Sequence, residues 1–288
     1  MPPDPSGESH SPPPAQAPPV RRPGGNLLQR MGKGAIKHVV AVGSGKGGVG
    51  KSSVTALLAA ELRRRGLTVG VLDADVTGPS IPKLFGLSGG LVDRGEGIEP
   101  AQTPDGVSVV SSQFMVEDEK TPVIWRGPLV TRLILQFFGG VSWGTLDYLL
   151  LDMPPGTSDV PLTVFQSIPL DGMVFVFTPQ ELAALIVRKA MNMARELHVP
   201  LLGVVENLSY LDCPHCRTRL EPFGPSGVAE VAQEYGIPLL ARLPIDPKVS
   251  TLGDAGEIGT YTSPEIQALT TAFLASVEAA KAESPAVL

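Results

Sequence analysis

The chain has 288 residues and a net charge of −6, with 29 Asp and Glu against 23 Lys and Arg. An acidic balance argues against nucleic acid as the main partner, and the length suits one large domain with a core that needs no disulfide staples. No apolar run is long enough to span a bilayer and no N-terminal apolar stretch reads as a secretory signal, so the expected setting is the reducing cytoplasm.

Residues 1–36 are mostly Pro, Gly, Ser and Arg. Such a segment buries too little apolar surface to offset its ordering entropy, and it reads as a disordered tail. From residue 37 the texture changes. KHVVAVGS (37–44) predicts a strand, and KSSVTALLAAELRRRG (51–66) predicts a helix closing on Gly66. LTVGVLDAD (67–75) predicts a second strand that ends in carboxylates. GVSVVSS, LDYLLLDMPP, GMVFVFTPQ and PLLGVVENLS repeat that pattern, with helical periodicity at 180–197 and 264–281. Strands that are apolar on both faces, alternating with helices, indicate an α/β fold: a mostly parallel sheet with helices on both faces. One domain is expected over 37–283, and 284–288 are expected to be a flexible C-terminus.

Between the first strand and the first helix lies GSGKGGVGKSS (43–53). It contains the pattern G-x-x-x-x-G-K-[ST], that of a phosphate-binding loop. Gly45, Gly47, Gly48 and Gly50, with Lys46 and Val49 between them, let the backbone turn N–H groups toward phosphate oxygens. The helix beginning at Lys51, Ser52 and Ser53 adds the partial positive charge of its N-terminus. Lys51 is expected on the β- and γ-phosphates and Ser52 on Mg²⁺. Lys46 is a second lysine that such a loop does not require; it is either a solvated side chain or one that reaches a nucleotide, including one on another subunit.

Asp73, Asp75 and Asp152 all fall at carboxyl ends of predicted strands, the edge where open α/β sheets bind ligands. Asp152 suits Mg²⁺ binding, directly or through water, and Asp75 suits positioning or deprotonating an attacking water. Cys213 and Cys216, the only cysteines, form a C-x-x-C in YLDCPHCRTR (210–219). Two thiolates are half of what a tetrahedral metal site or a cubane cluster takes. Iron–sulfur ligation, zinc ligation, a redox disulfide and two unliganded thiols all stand as readings of that spacing.

With Lys46, GKGGVGKS resembles the deviant Walker A of MinD and nitrogenase-iron-protein-like P-loop ATPases. DADVTGPSIP, PVIWRGPLV, WGTLDYLLLDMPPGTSD, FTPQE, GVVENLSYLDCPHC and LARLPIDPKVS are similar to successive motifs of the Mrp/ApbC family, from about residue 37 to about 283. Members of that family are ATP-binding iron–sulfur cluster carriers. The resemblance implies a homodimer in which Lys46 contacts the nucleotide of the partner subunit. It implies that Lys51 and Ser52 bind phosphate and Mg²⁺, and that Asp75 and Asp152 lie in two switch segments. Asn207 would touch adenine, with Asp246 in the lining of the same pocket. Cys213 and Cys216 would ligate a [4Fe–4S] cluster shared across the dimer, for delivery from cluster donors to apoproteins, with slow ATP hydrolysis and no nucleic acid or membrane partner. The alternative is a MinD/ParA-like positioning ATPase whose C-x-x-C binds a structural zinc. Its membrane-binding version should end in a basic amphipathic helix, whereas this chain ends FLASVEAAKAESPAVL.

Overall fold

The computed structural model describes residues 36–76, 78–93, 98–115, 127–156, 159–180 and 185–283. The expected tail at 1–35, the expected flexible end at 284–288 and the segment PVIWR (122–126) lie outside the described residues.

The expected parallel sheet is present. Its strands are β1 (Ile36–Gly43), β2 (Val69–Asp73), β6 (Ser108–Ser111), β7 (Leu146–Asp152), β8 (Gly172–Phe177), β9 (Leu201–Asp212) and β11 (Leu239–Pro244). Short strands β5 (Ala101–Gln102) and β10 (Arg219–Leu220) join it antiparallel. The order is β10-β9-β8-β1-β7-β2-β6-β5, with β11 also on β9, and β3 (Val92–Asp93) and β4 (Ile98–Glu99) form a separate pair. The helices are α1 (Lys51–Arg64), α2 (Ile81–Leu84), α3 (Gly127–Gly140), α4 (Asp159–Ser167), α5 (Leu185–Glu196), α6 (Val228–Tyr235), α7 (Pro247–Ala255) and α8 (Pro264–Glu283).

Both faces of the sheet are buried, which is why its strands read as unbroken apolar runs. On β1, Val39 and Ala41 enter one core with Ile134 and Phe138 of α3 and Met191 of α5. Val40 and Val42 enter the other with Leu58 of α1 and Phe273 of α8. On β7, Leu149 and Leu151 share the first core, Tyr148 and Leu150 the second. The alternation follows the period-2 geometry of a strand. The last helix, α8, lies against α1 and β11 through Ile266, Leu269, Phe273 and Val277. Its apolar stripe faces protein, and no helix among the described residues is long and apolar enough to cross a membrane.

Two differences from the sequence reading matter for the site. The strand expected to end with ENLS continues to Asp212, about 10 Å further along, so the cysteines follow β9 directly. The extension is sustained by polar groups that are paired inside the protein, as described below. β11 was not anticipated as a strand; it pairs in parallel with β9 and brings the LARLPID motif beside ENLS.

Candidate functional site

β1 ends at the phosphate loop; β7 beside it ends at Asp152, and β2 on the far side of β7 ends at Asp73. The register sets Val42 beside Asp152 and Asp152 beside Asp73, so three strand ends converge on one edge. Within the loop Val49 is buried and anchors the turn, while Lys46, Gly47 and Gly48 are exposed at its tip. Gly45 is buried, and Ser44 Oγ donates to the Lys46 carbonyl at 2.9 Å. Gly50 caps α1 with φ 80°, a left-handed conformation that favours glycine. A methyl group there would also stand 2.3 Å from Asn207 Nδ2. That amide donates to the Val49 carbonyl at 2.9 Å, tying the loop to β9. The first turn of α1 carries no acidic residue, so its amide dipoles face the loop unopposed.

Lys51 and Asp152 are both buried, and Lys51 Nζ lies 2.7 Å from Asp152 Oδ2. Ser52 Oγ donates to the same oxygen at 2.6 Å, and Thr55 Oγ1 donates to Oδ1 at 2.8 Å. Thr55 is a site residue the sequence reading passed over. It stands one helical turn after Lys51, the spacing that puts two side chains on one face. Ser52 Oγ and Asp152 Oδ2 are hard oxygen donors within hydrogen-bond distance of one another, a set that suits Mg²⁺ and not a soft metal.

Asp73 is fully buried beside this cluster. Its Oδ1 accepts from the Asp75 amide at 3.2 Å; its Oδ2 accepts from Ser80 N at 3.2 Å, Ile81 N at 3.3 Å and Ser111 Oγ at 3.1 Å. Asp73 therefore clasps the turn after β2. Burial pushes its carboxyl up to about 8, the charge on Asp152 adds to this, and Lys51 opposes it. Asp75 opens the clasped turn, is partly exposed, and accepts from Gly78 N at 3.1 Å through its carbonyl.

A cavity of about 480 Å³ opens beside Gly48, Gly50 and Ser53. Its far wall includes Asn207 and Leu208 of β9 and Leu243–Asp246 at the end of β11. The size suits a nucleoside. Leu208 has φ 54°, so the strand leaves extended geometry at the wall. Asp246 lines the cavity but does structural work with both oxygens. Oδ1 accepts from Lys248 N at 2.9 Å as the cap of α7, and Oδ2 accepts from the Tyr261 hydroxyl at 2.9 Å. Burial and this bond push the Tyr261 hydroxyl up to about 12.

The second feature is a tight hairpin on the end of β9. Asp212 pairs with Arg219, Cys213 N donates to the Thr218 carbonyl at 3.0 Å, and Arg217 N donates to the Cys213 carbonyl at 2.8 Å. Arg217 takes φ 57° to close the turn. The geometry presents Cys213 and Cys216 side by side as free thiols, the first partly exposed and the second exposed. Cys216 Sγ lies 3.2 Å from Thr218 Oγ1. That hydroxyl, followed by the Thr218 backbone, draws the Cys216 thiol below its usual range. Arg219 stacks over Tyr210, 3.6 Å from the ring centre. No cluster of three or more His, Cys, Asp or Glu side chains that could hold a metal occurs among the described residues, so a metal at this hairpin would draw further ligands from elsewhere.

A family model, ParA, described as NUBPL iron-transfer P-loop NTPase, matches residues 35–279. The iron–sulfur cluster carrier protein of Methanocaldococcus jannaschii is 47% identical over 232 residues, covering 80% of this chain and 79% of that one. The carrier of the same name from Aquifex aeolicus is also 47% identical over 232 residues, and there the match spans only 64% of the relative's length. A nucleotide-binding protein of Archaeoglobus fulgidus, solved with ADP, is 44% identical with a TM-score of 0.73, covering 84% of this chain and 93% of that one. MinD from Aquifex aeolicus shares the fold at 20% identity and a TM-score of 0.57, over 86% of this chain and 98% of that one. The chain belongs to the NUBPL-type iron-transfer family of P-loop NTPases.

Proposed function

We propose that the protein is a Mg-ATP-binding carrier that holds a [4Fe–4S] cluster between two copies of itself and passes it to apoproteins in the cytoplasm. The observation that carries this reading is the preformed hairpin with two free thiols on a chain that also holds a complete phosphate loop. Two thiolates per chain make four per dimer, the number a cubane cluster takes. Leu220 and Phe223, 48% and 40% exposed, flank the hairpin and suit a surface covered by the second copy. Free cysteines suit a reducing compartment.

On nucleotide binding, the loop amides and Lys51 take the phosphates, and the cavity beside Asn207 takes the base. Ser52 and Asp152 would hold Mg²⁺, which neutralises phosphate charge when bound. Lys51 exchanges Asp152 for phosphate oxygen. Asp75, at the start of the clasped turn, orients water toward the γ-phosphate. Exposed Lys46 reaches across to the nucleotide of the partner subunit. Hydrolysis is slow, because release of the cluster is a ligand exchange in which client thiolates replace Cys213 and Cys216 and no phosphoryl transfer is involved.

Anaerobic reconstitution with iron and sulfide tests this reading. About two iron and two sulfide per chain in a dimer, with the visible absorption of a cubane, is the expected result. Binding of zinc alone, with no iron, would sink the carrier reading and favour a zinc-stapled ATPase.

A further inference from the structure

Glu206 on β9 is fully buried one residue before Asn207, directly after the apolar run Val204–Val205. Its Oε2 accepts from Ser209 Oγ at 2.7 Å and from Arg242 Nε at 2.7 Å. Its Oε1 is buried and has no hydrogen-bond partner. A buried ion pair is a costly way to fill space, and a carboxylate with one oxygen unmet is costlier. Such a pair is better explained by the geometry it imposes than by stability.

The geometry is specific. Arg242 stands opposite Glu206 in the β9–β11 register. Its Nε also donates to Ser209 Oγ at 2.9 Å, and its Nη2 donates outward to Glu221 Oε1 at 3.0 Å. Glu221 directly follows β10, the returning strand of the cysteine hairpin. In the other direction, Leu243–Asp246 directly follow Arg242 and form the wall of the cavity. The guanidinium is thus pinned on the buried side by Glu206 and holds the hairpin on the exposed side. A second link runs parallel to it: Ile245 N donates to the Tyr210 carbonyl at 2.6 Å, and Arg219 of β10 stacks on the Tyr210 ring.

We propose that Arg242 is a positioning residue that couples the base pocket to the cysteine hairpin, through its bonds to Glu206 and Glu221. Occupation of the pocket fixes residues 243–246, fixes the Arg242 fork, and holds Glu221 and β10 in one orientation. Removal of the occupant frees the hairpin and makes its thiols easier to exchange. The proposal rests on the carrier reading for its purpose, but the mechanical link can be read without a cluster.

The experiment is amide hydrogen exchange over residues 211–221 of the full chain, with and without Mg-ADP. In the unsubstituted protein, Mg-ADP is expected to slow exchange of the Cys213 and Arg217 amides by about fivefold, the low end of coupling between sites. Glu221→Met removes the outward acceptor and leaves the buried pair whole. It should keep the ADP affinity and lose most of the slowing. Arg242→Met should do the same, at a cost in stability from the stranded Glu206. Arg242→Lys should restore stability without restoring the slowing, because one ammonium replaces a two-ended fork. Slowing that survives undiminished in Glu221→Met, or that never occurs in the unsubstituted protein, overturns the proposal. Reconstitution then separates the two readings. A normal iron load with no nucleotide effect at the hairpin defeats the coupling alone, whereas a nucleotide effect with no iron load defeats the carrier alone.

Discussion

The phosphate-loop edge and the cysteine hairpin sit on one polypeptide and are built on opposite plans. At the first, ionisable groups are buried: Lys51, Asp73 and Asp152 are almost wholly removed from solvent, and the side-chain oxygens of both aspartates accept donors from their own chain. At the second, two thiols are turned outward in the turn between the end of the 12-residue β9 and the two-residue β10. On the carrier reading proposed above, the contrast follows from what each would handle. A site that grips phosphate gains from low dielectric and fixed dipoles. A site that hands over its cargo must let another protein's ligands approach.

The contrast is broken most sharply by exchanging losses between the two ends. Lys51→Ala strands Asp152 as a buried uncompensated charge and removes the phosphate cation, so ADP affinity should fall about a hundredfold or more by calorimetry. Iron loading at the hairpin should persist. Cys216→Ala should abolish iron loading and leave ADP affinity as it was. If Lys51→Ala also emptied the hairpin of iron, the two ends would not be separable in the way their burial implies.

A milder probe acts on the backbone of the loop. Gly50→Ala forces a methyl group into a left-handed residue and against Asn207. It should cost about 1–3 kcal/mol in denaturant unfolding and weaken nucleotide binding. Loading of the hairpin is expected to be unchanged.

The smallest effect is expected at the exposed end. Thr218→Val removes the hydroxyl that favours the Cys216 thiolate. A lowered thiol pKa gives more thiolate at a given pH, so its loss should slow alkylation of Cys216 several-fold near neutrality and shift the rate profile to higher pH. An unchanged profile would mean that the turn amides, not Thr218, set the reactivity.

How much of this was legible in the sequence depends on where each interaction is encoded. The two-sided sheet and the loop were readable because apolar runs and glycine spacing are local patterns. Asp73, Asp75 and Asp152 lie at one edge with the loop because strand ends in a parallel sheet share one edge. The division of labour among them was not readable: that Asp73 clasps Ser80 and Ile81 depends on contacts that no spacing records. ENLS read as the end of a strand because polar residues suggest solvent. Their partners, Arg242 and Val49, lie 36 and 158 positions away. Asp246 lines the cavity, and its bonds to Lys248 N and Tyr261, which no local pattern records, make it a cap and a brace. Tyr261 carried no motif at all.

Leu208 has an energetic consequence for the pocket it lines. A non-glycine residue with φ 54° holds about 1–2 kcal/mol of conformational energy, and here that energy sits inside a strand, at the surface a base would press upon. The amount is comparable to a tenfold change in a dissociation constant. On the proposed reading, whatever lets Leu208 relax toward the extended region would alter the wall that a base meets, and a ligand that prefers the present wall would keep the torsion wound.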